Sequence, residues 1–494
     1  MVVSTGVRAA KSERIGNGLA ALANKCAART FDISSGMVYA SMRDQIARAQ
    51  LLVRDMKEVD PLCARLLIVG AGLAGASAAV HAQALGMEVV VLESQGDAFG
   101  LQANVSSRIV GPFMYEWPGL EVQSQSYPVV RPTLGAPHAS TASWLSPSPL
   151  KASDLAVELR AWLNGEMAKR NPPKFYFNVK ASETRKYVND FVAAAASNGA
   201  FVPPPLTLPP AVSGANKSVS IRRRKTFLPD YVILAVGMGE ERVHLVDGDP
   251  AGMRGLPFWC DDDLRSGGIA DMNVAVFGAG DGALQDVLRA LTKHDHPLDL
   301  IEALEGGSDH IKSMIDQVKP QLASLEHQSR LFATWSKGSV YELVDRECER
   351  ICHKLASDPI VKAGVLSELR PGSGIVYHVY RERYLTRAYL LNRFCVHLIH
   401  ACVPPSGRLQ HMRYVRQKDT SVASASPVAD PVVAGAGGLI KLSRTSTIEV
   451  QRLVVRFGPD KDWLATNKMV ALSAELQTDR ISMSAIPLPY VVST

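Results

Sequence analysis

Gly70, Gly72 and Gly75 stand in the spacing G-x-G-x-x-G, and a carboxylate, Glu93, follows at the far end of an apolar run. These residue types do phosphate and ribose chemistry. Glycine at 70 permits a tight turn, glycine at 72 lets the main chain come against a pyrophosphate, and glycine at 75 lets a helix lie close on a strand. A carboxylate at 93 can accept hydrogen bonds from both ribose hydroxyls. The glycines hold an anion only if a helix begins among them, because its first amides and its dipole attract the phosphate. The flanks predict that arrangement. Leu66 to Val69 is an uninterrupted apolar run, short enough for a buried parallel strand. The Ala-rich stretch from Ala74 to Leu85 reads as the helix, with Ala74 in its first turn and Gly86 just past its end. Glu88 to Leu92 reads as a second buried strand with Glu93 at its tip, which completes one βαβ unit.

A second constellation lies farther along. Asp230 to Gly239 (DYVILAVGMG) predicts a strand ending in Ala235-Val236-Gly237. Asn273 to Leu291 then repeats strand, glycines and helix: Gly278 and Gly280 keep the first two glycine positions, Asp281 stands beside the second, and Ala283 takes the third. LDLIE, Leu298 to Glu302, reads as the second strand of this unit.

This order of parts resembles the two-dinucleotide-binding flavoproteins, the thioredoxin-reductase and flavin-monooxygenase superfamily. GAGDGA in particular is similar to the G-G-G-D/N-S/T-A of thioredoxin reductases, and the resemblance spans roughly residues 62 to 305. It implies FAD on Gly70, Gly72, Ala74, Gly75 and Glu93, with the Gly237 strand beside it. It implies a nicotinamide nucleotide on Gly278, Gly280, Asp281 and Ala283, with Glu302 at the ribose. An acid at 302 repels a 2′-phosphate and no arginine follows closely, so NAD is expected over NADP, although alanine at 283 pulls the other way. The loop after Glu93 would run under the pyrophosphate and beside the flavin. There Arg108 either pairs with a phosphate or positions the flavin, or is a solvated surface charge. Phe113, Tyr115 and Trp117 either flank the ring or belong to the core.

Departures from the family narrow the chemistry. Val236 stands where the family usually has Thr, no C-x-x-C occurs, and Cys260 is alone between Gly237 and Gly278. A dithiol cycle needs two thiols, so disulfide reduction is disfavoured. The F-x-G-x-x-x-H fingerprint of flavin monooxygenases is missing, as is a Gly-Asp at a C-terminal strand end. Cys348, Cys352, His353, Cys395, His397, His400 and Cys402 crowd the C-terminal third, but their spacing matches no zinc finger or ribbon, and no metal is expected. No G-x-S-x-G supports a hydrolase.

With 494 residues the chain has room for two or three domains. Its 47% apolar and 21% charged content is that of an ordinary globular protein, and a net charge of +6 is too small at this length to indicate a nucleic-acid partner. No apolar run reaches membrane-spanning length, and seven scattered cysteines suit a reducing compartment, so a cytoplasmic protein is expected. The expected class is α/β, with two Rossmann-type modules on parallel sheets and a helix-rich C-terminal region. The expected divisions are a helical extension over 1–60, an FAD-binding domain over 61–260 with a Pro-rich insertion at about 186–225, a second module over 261–306, and the C-terminal region over 307–494. Within these, Ser153 reads as the N-cap of a helix, 174–181 as a strand, 308–356 as helical, Arg381 to Ala401 as one helix, 414–436 as a loop and 447–459 as a strand. The basic run Arg222 to Lys225 reads as a solvated face. The expected function is an FAD-dependent oxidoreductase passing hydride from NAD(P)H through flavin to a small-molecule acceptor. The alternatives are an amine or amino-acid oxidase using dioxygen, and a non-catalytic flavin- or nucleotide-binding sensor or scaffold. No acid or base is nominated.

Overall fold

A computed structural model of the chain describes residues 19–34, 42–110, 117–118, 149–197, 200–208, 226–237, 239–249, 251–332, 339–385, 388–403, 411–428, 432–444 and 447–459. Phe113, Tyr115, Arg387 and the run Arg222 to Lys225 lie outside these residues.

The first unit begins with α1 (Leu19–Asn24), β1 (Lys25–Ala27), β2 (Thr30–Asp32) and α2 (Met42–Val59). The βαβ core follows as β3 (Arg65–Val69), α3 (Leu73–Ala84) and β4 (Glu88–Leu92). Then come α4 (Gly100–Ala103), β5 (Ile109–Val110), β6 (Leu150–Lys151), α5 (Ala152–Met167), β7 (Lys174–Tyr176), α6 (Ala181–Ala196), β8 (Leu206–Thr207), β9 (Thr226–Phe227) and β10 (Tyr231–Leu234). Its sheet runs β1-β2-β10-β3-β4-β7, parallel except for the β1–β2 pair. Leu66 to Val69 are all buried, as are Ala74 to Ala82 of the Ala-rich α3. Small side chains let α3 be covered on one side by the sheet and on the other by α2, whose Ala49, Leu52, Val53 and Met56 recur at helical spacing and are buried.

The second unit contains β11 (Val274–Phe277) and α7 (Asp281–Leu291), then four helices, α8 (Pro297–Gly307), α9 (Asp309–Phe332), α10 (Ser339–Ala356) and α11 (Pro359–Ser367). It ends with β12 (Ile375–Val379), α12 (Leu390–Cys402), β13 (Arg413–Gln417), β14 (Val422–Pro427), β15 (Ala436–Leu442) and β16 (Ile448–Val455). Its sheet runs β13-β12-β11-β16-β15-β14, with the first four strands parallel. Setting β7-β4-β3-β10 beside β13-β12-β11-β16 gives one topology twice. In both units the last of the four parallel strands to be made returns beside the first.

Several expectations change here. Leu298 to Glu302 is not a strand but the start of α8. Pro297 occupies the first helical turn and the His296 ring nitrogen Nδ1 accepts the Leu298 N–H at 3.1 Å, a helix start in both chemistry and geometry. The apolar Leu298, Ile301 and Leu304 then recur at three-residue spacing and are buried. The true second strand is β12, and Glu302 is exposed on a helix. The division expected at 306 is therefore not a boundary: β12 to β16 complete the sheet that β11 begins, and helices α8 to α11 share one core with α7. The helix expected over 381–401 begins only at Leu390, and the loop expected over 414–436 holds β13 and β14. The N-terminal extension supplies two strands to the first sheet, α6 occupies part of the expected Pro-rich insertion, and α5 starts at Ala152, with Lys151 rather than Ser153 at its cap. Among the described residues no helix is long and apolar enough to cross a membrane.

Candidate functional site

The glycine turn of the first unit lies at the carboxyl ends of its parallel strands, the place where open α/β sheets bind ligands. Gly70 has φ +104°, and a Cβ there would lie 2.3 Å from the Ala235 carbonyl oxygen of the strand alongside. A Cβ on Gly75 would lie 1.9 Å from the Gly70 carbonyl oxygen. Both positions are glycine because main chain presses on main chain. Gly72 differs: its Cβ would meet nothing within 4 Å. It caps α3 with no side-chain hydrogen bond to the helix's first amides. The open volume over Gly72 and the uncapped helix start fit a pyrophosphate. Glu93 sits against the same turn. One carboxylate oxygen accepts the Ala71 N–H at 2.6 Å and the other the Gln95 N–H at 2.8 Å, which fixes the acid against the turn. Ala74 is buried in the first turn of α3, and Gly237, at φ +79°, faces open space beside the turn.

The second unit reproduces these relations bond for bond. Gly70 donates its N–H to the Leu92 carbonyl at 2.8 Å, and Gly278 to the Val379 carbonyl at 3.0 Å. Ala235 donates to Val69, and Arg456 to Phe277, each at 2.8 Å. Glu93 donates to Tyr176 at 2.8 Å, and Tyr380 to Gln417 at 3.0 Å. Gly237 thus has its counterpart in Gly458, also at φ +79°. A Cβ on Gly278 would lie 2.4 Å from the Arg456 carbonyl oxygen, the counterpart of the Gly70–Ala235 approach. Gly280 caps α7 in extended conformation, again with no side-chain cap. Ala283 is fully buried in the third position. The Asp281 carboxylate is engaged by the Tyr389 N–H at 2.7 Å and the Asn392 amide at 2.9 Å, so it orders the start of α12. The position equivalent to Glu93 is not Glu302 but Tyr380, which is buried, and Arg381 and Arg383 follow it, both exposed. His378, inside β12, fastens the turn. Its Nε2 is 2.8 Å from the Gly278 carbonyl oxygen and its Nδ1 2.8 Å from the Tyr414 hydroxyl, and burial holds its pKa down to about 3. The ring is therefore neutral, donating through Nε2 and accepting through Nδ1.

Arg108 lies at neither turn. It is buried where the first unit's loop meets the second unit, in ion pairs with Asp286 of α7 and with Asp262, the latter at 2.9 Å. Its guanidinium stacks 4.4 Å from the Phe258 ring centroid and donates to the Phe258 carbonyl at 2.8 Å. Arg289 and Arg456 join the same cluster, at 2.9 Å and 2.8 Å from Asp286. Burial alone would raise the Asp286 pKa, but Arg108, Arg456 and Arg289 outweigh it and hold the carboxyl well below its usual range. Neither sequence reading of Arg108, phosphate ligand or surface charge, describes this place. The signal lay in the spacing of Asp286 and Arg289 on α7 and in the aspartates at 261–263, which nothing in the local pattern ties to residue 108.

Trp117 packs against Phe394 of α12, 5.0 Å between ring centroids, inside the second unit's core. Cys260 is half-buried and all seven cysteines are free. The acids that follow it are each engaged: Asp261 by the Ser106 and Ser107 amides, Asp262 by Arg108 and Arg289, Asp263 by Arg452. Among the described residues no three metal-ligating side chains converge, and His397, on the Cys/His-rich α12, is instead held between Asp345 and Arg416.

Residues 65–212 match the family model of FAD dependent oxidoreductases. No curated protein matches the chain. Similar solved structures include a thioredoxin reductase of T. acidophilum (14% identity, TM-score 0.34, 85% of this chain and 96% of that one). They also include the bacillithiol disulfide reductase Bdr of Bacillus cereus (10%, 0.35, 86% and 97%) and OTEMO in complex with FAD and NADP (10%, 0.34, 81% and 71%). At such scores the likeness carries no weight by itself. The family match falls on the first unit alone, the one whose glycine turn and Glu93 fit an adenine dinucleotide, and the second unit repeats that unit's topology.

Proposed function

We propose that the protein draws reducing equivalents from NADPH at its second unit and delivers them, with FAD held at its first, to a small-molecule acceptor. FAD supplies the hydride and electron chemistry when bound; the chain's residues bind and orient. Gly72 leaves room for the pyrophosphate, the first amides of α3 face it, and Glu93 holds the ribose. In the second unit the same places fall to Gly280, the start of α7, and the residues after β12.

The observation that carries the choice of NADPH is the end of β12. The expected preference for NAD rested on Glu302, which stands on α8 away from that strand end. The residue that does occupy the ribose-acid position is Tyr380, and cations follow it. Arg381 lies beside the Phe457 ring, 6.0 Å from its centroid, and Arg383 is 3.7 Å from Asp419. A guanidinium recognises a phosphate with two parallel hydrogen bonds, and the position that holds Glu93 in the first unit carries no acid in the second, the nearest carboxylates being Glu382, between the two arginines, and Asp419, beside Arg383.

Anaerobic titration of the flavin-loaded protein tests this. NADPH is expected to bleach the flavin band near ~450 nm at lower concentration than NADH. Arg381→Ala is expected to weaken NADPH about tenfold or more, the loss of a hydrogen bond to a charged group, and to leave NADH unchanged. A preference for NADH would overturn the choice of nucleotide. Bleaching by neither would return the chain to the oxidase or non-catalytic readings.

A further inference from the structure

The loop after β12 carries Arg381 and Arg383 to the surface, then returns to Leu385, which is fully buried, and to the start of α12. Its return is gripped from below. The Asp345 carboxylate, on α10 of the helical insertion, accepts the Leu385 N–H at 3.1 Å through Oδ2. Through Oδ1 it accepts from Arg393 Nη1 at 2.7 Å and from His397 Nε2 at 2.8 Å. Arg393 in turn donates to the Leu385 carbonyl at 2.7 Å and the Ala388 carbonyl at 3.1 Å. Arg416, at the end of β13, donates to His397 Nδ1 at 3.0 Å and pairs with Glu349 of α10. His397 thus links an anion and a cation through its two ring nitrogens. The cluster balances two acids against two arginines and is nearly sealed, with Arg393 1% exposed and the Asp345 side chain 6%. One layer farther out, the Tyr389 N–H reaches the Asp281 carboxylate at the start of α7.

This is more apparatus than a turn needs. Buried ion pairs are weak stabilisers against apolar replacements of the same shape, and the best-supported reason to keep one is that it selects a single arrangement. The arrangement selected here is the path of the loop between the second strand and α12. The four-helix insertion that interrupts the unit supplies the acid that does it.

We infer that Asp345 and Arg393 are positioning residues for nucleotide specificity, holding Leu385 and Ala388 so that Arg381 and Arg383, on the segment 380–385, meet a 2′-phosphate. The inference rests on the NADPH reading. Arg393→Lys keeps a cation against Asp345 and removes the guanidinium fork from the Leu385 and Ala388 carbonyls, so it perturbs the loop without leaving a buried acid unpaired. In full-length, flavin-loaded protein, equilibrium dialysis with 2′-phospho-AMP and with AMP separates the phosphate from the rest of the nucleotide. Arg393→Lys is expected to weaken 2′-phospho-AMP about tenfold, the scale of a misplaced contact, with AMP binding and FAD content unchanged. Equal 2′-phospho-AMP affinity in variant and wild type overturns the inference, and so does an equal loss for AMP. Wild-type protein that binds 2′-phospho-AMP no more tightly than AMP instead overturns the NADPH reading, and the inference with it. Hydrogen exchange on the wild type gives a check that needs no variant: the Leu385 amide should be protected with or without nucleotide, and rapid exchange in the free protein would also overturn the clamp.

Discussion

The two units of this chain share a topology and a set of main-chain hydrogen bonds, yet they differ in how far apart in sequence the shared parts lie. In the first, strand, turn, helix and second strand are contiguous from Arg65 to Leu92. In the second, the helix ends at Leu291 and the second strand starts at Ile375, with four helices between. The inserted helices leave the register untouched: Val274 to Phe277 pair in parallel with Val376 to Val379, as Leu66 to Val69 do with Val89 to Leu92. A parallel pair needs only a crossover that returns to the same edge, and its length is free. What changes is the chemistry at the strand tip, an acid in the first unit and an aromatic followed by arginines in the second.

The units also handle buried acids in opposite ways. Asp55 on α2 is fully buried and accepts the Ala20 N–H at 2.7 Å. Burial dominates there and pushes its pKa up to about 6, with a smaller push from Glu58, while the Ala20 amide and Arg54 pull more weakly the other way. Asp286 is equally buried but surrounded by three arginines that hold its pKa down. One acid is tolerated, the other is an anchor.

The largest effect expected from that contrast comes from Asp286→Asn. It leaves Arg456 without its ion pair and Arg108 and Arg289 paired only with Asp262 among the described residues, with Glu241 nearby, and should destabilise the fold by about 3–5 kcal/mol in denaturant titration at neutral pH. Because the folded-state pKa is depressed, the wild-type contribution is complete above the unfolded value of 3.8 and is lost as pH falls below it, so the gap between variant and wild type should close in acid. A cost below about 1 kcal/mol would mean the cluster is a bystander.

Next come the third glycine positions. Gly75→Ala places a methyl 1.9 Å from a carbonyl oxygen, so α3 must move off the sheet, at about 3 kcal/mol. The mirror change, Ala283→Gly, should cost only about 1 kcal/mol in helix propensity, since the second unit already holds a methyl there. Gly72→Val supplies the control: with nothing within 4 Å of its Cβ it should leave the unfolding curve nearly unchanged while abolishing FAD retention. Full flavin content in that variant would remove FAD from this turn.

An effect smaller than those of Asp286→Asn and Gly75→Ala, and opposite in sign, is expected at Asp55. A raised folded-state pKa means stability is complete below 3.8 and is lost as pH rises through about 6. Asp55→Asn should therefore be more stable than wild type by about 1–2 kcal/mol at pH 8, with the advantage vanishing near pH 4. A variant less stable than wild type at pH 8 would show that the carboxylate stabilises the fold as a charge.

Contiguity decided what the chain alone could disclose. Gly70, Gly72, Gly75 and Glu93 stand within one βαβ unit, where each element predicts its neighbour, and the structure brings them to one turn. Gly278, Gly280 and Ala283 are legible for the same reason. The second strand of that unit was not, because LDLIE offered an apolar run and a terminal acid at the expected distance. A window of five residues cannot separate a buried strand from the first turn of a helix, and Pro297 and His296 made it a helix.

The order of glycines and the Ala-rich helix were enough to read the fold class and to expect a dinucleotide, because those depend on steric allowance and on helix ends, which are local. Which residue follows the second strand, where Arg108 goes, and what holds Leu385 depend on pairs far apart in sequence: Phe277 with Val379, Arg108 with Asp286, Leu385 with Asp345. Parallel pairing and buried charge are contacts between surfaces that have no common address along the chain, so those residues acquired their roles only when the sheet closed.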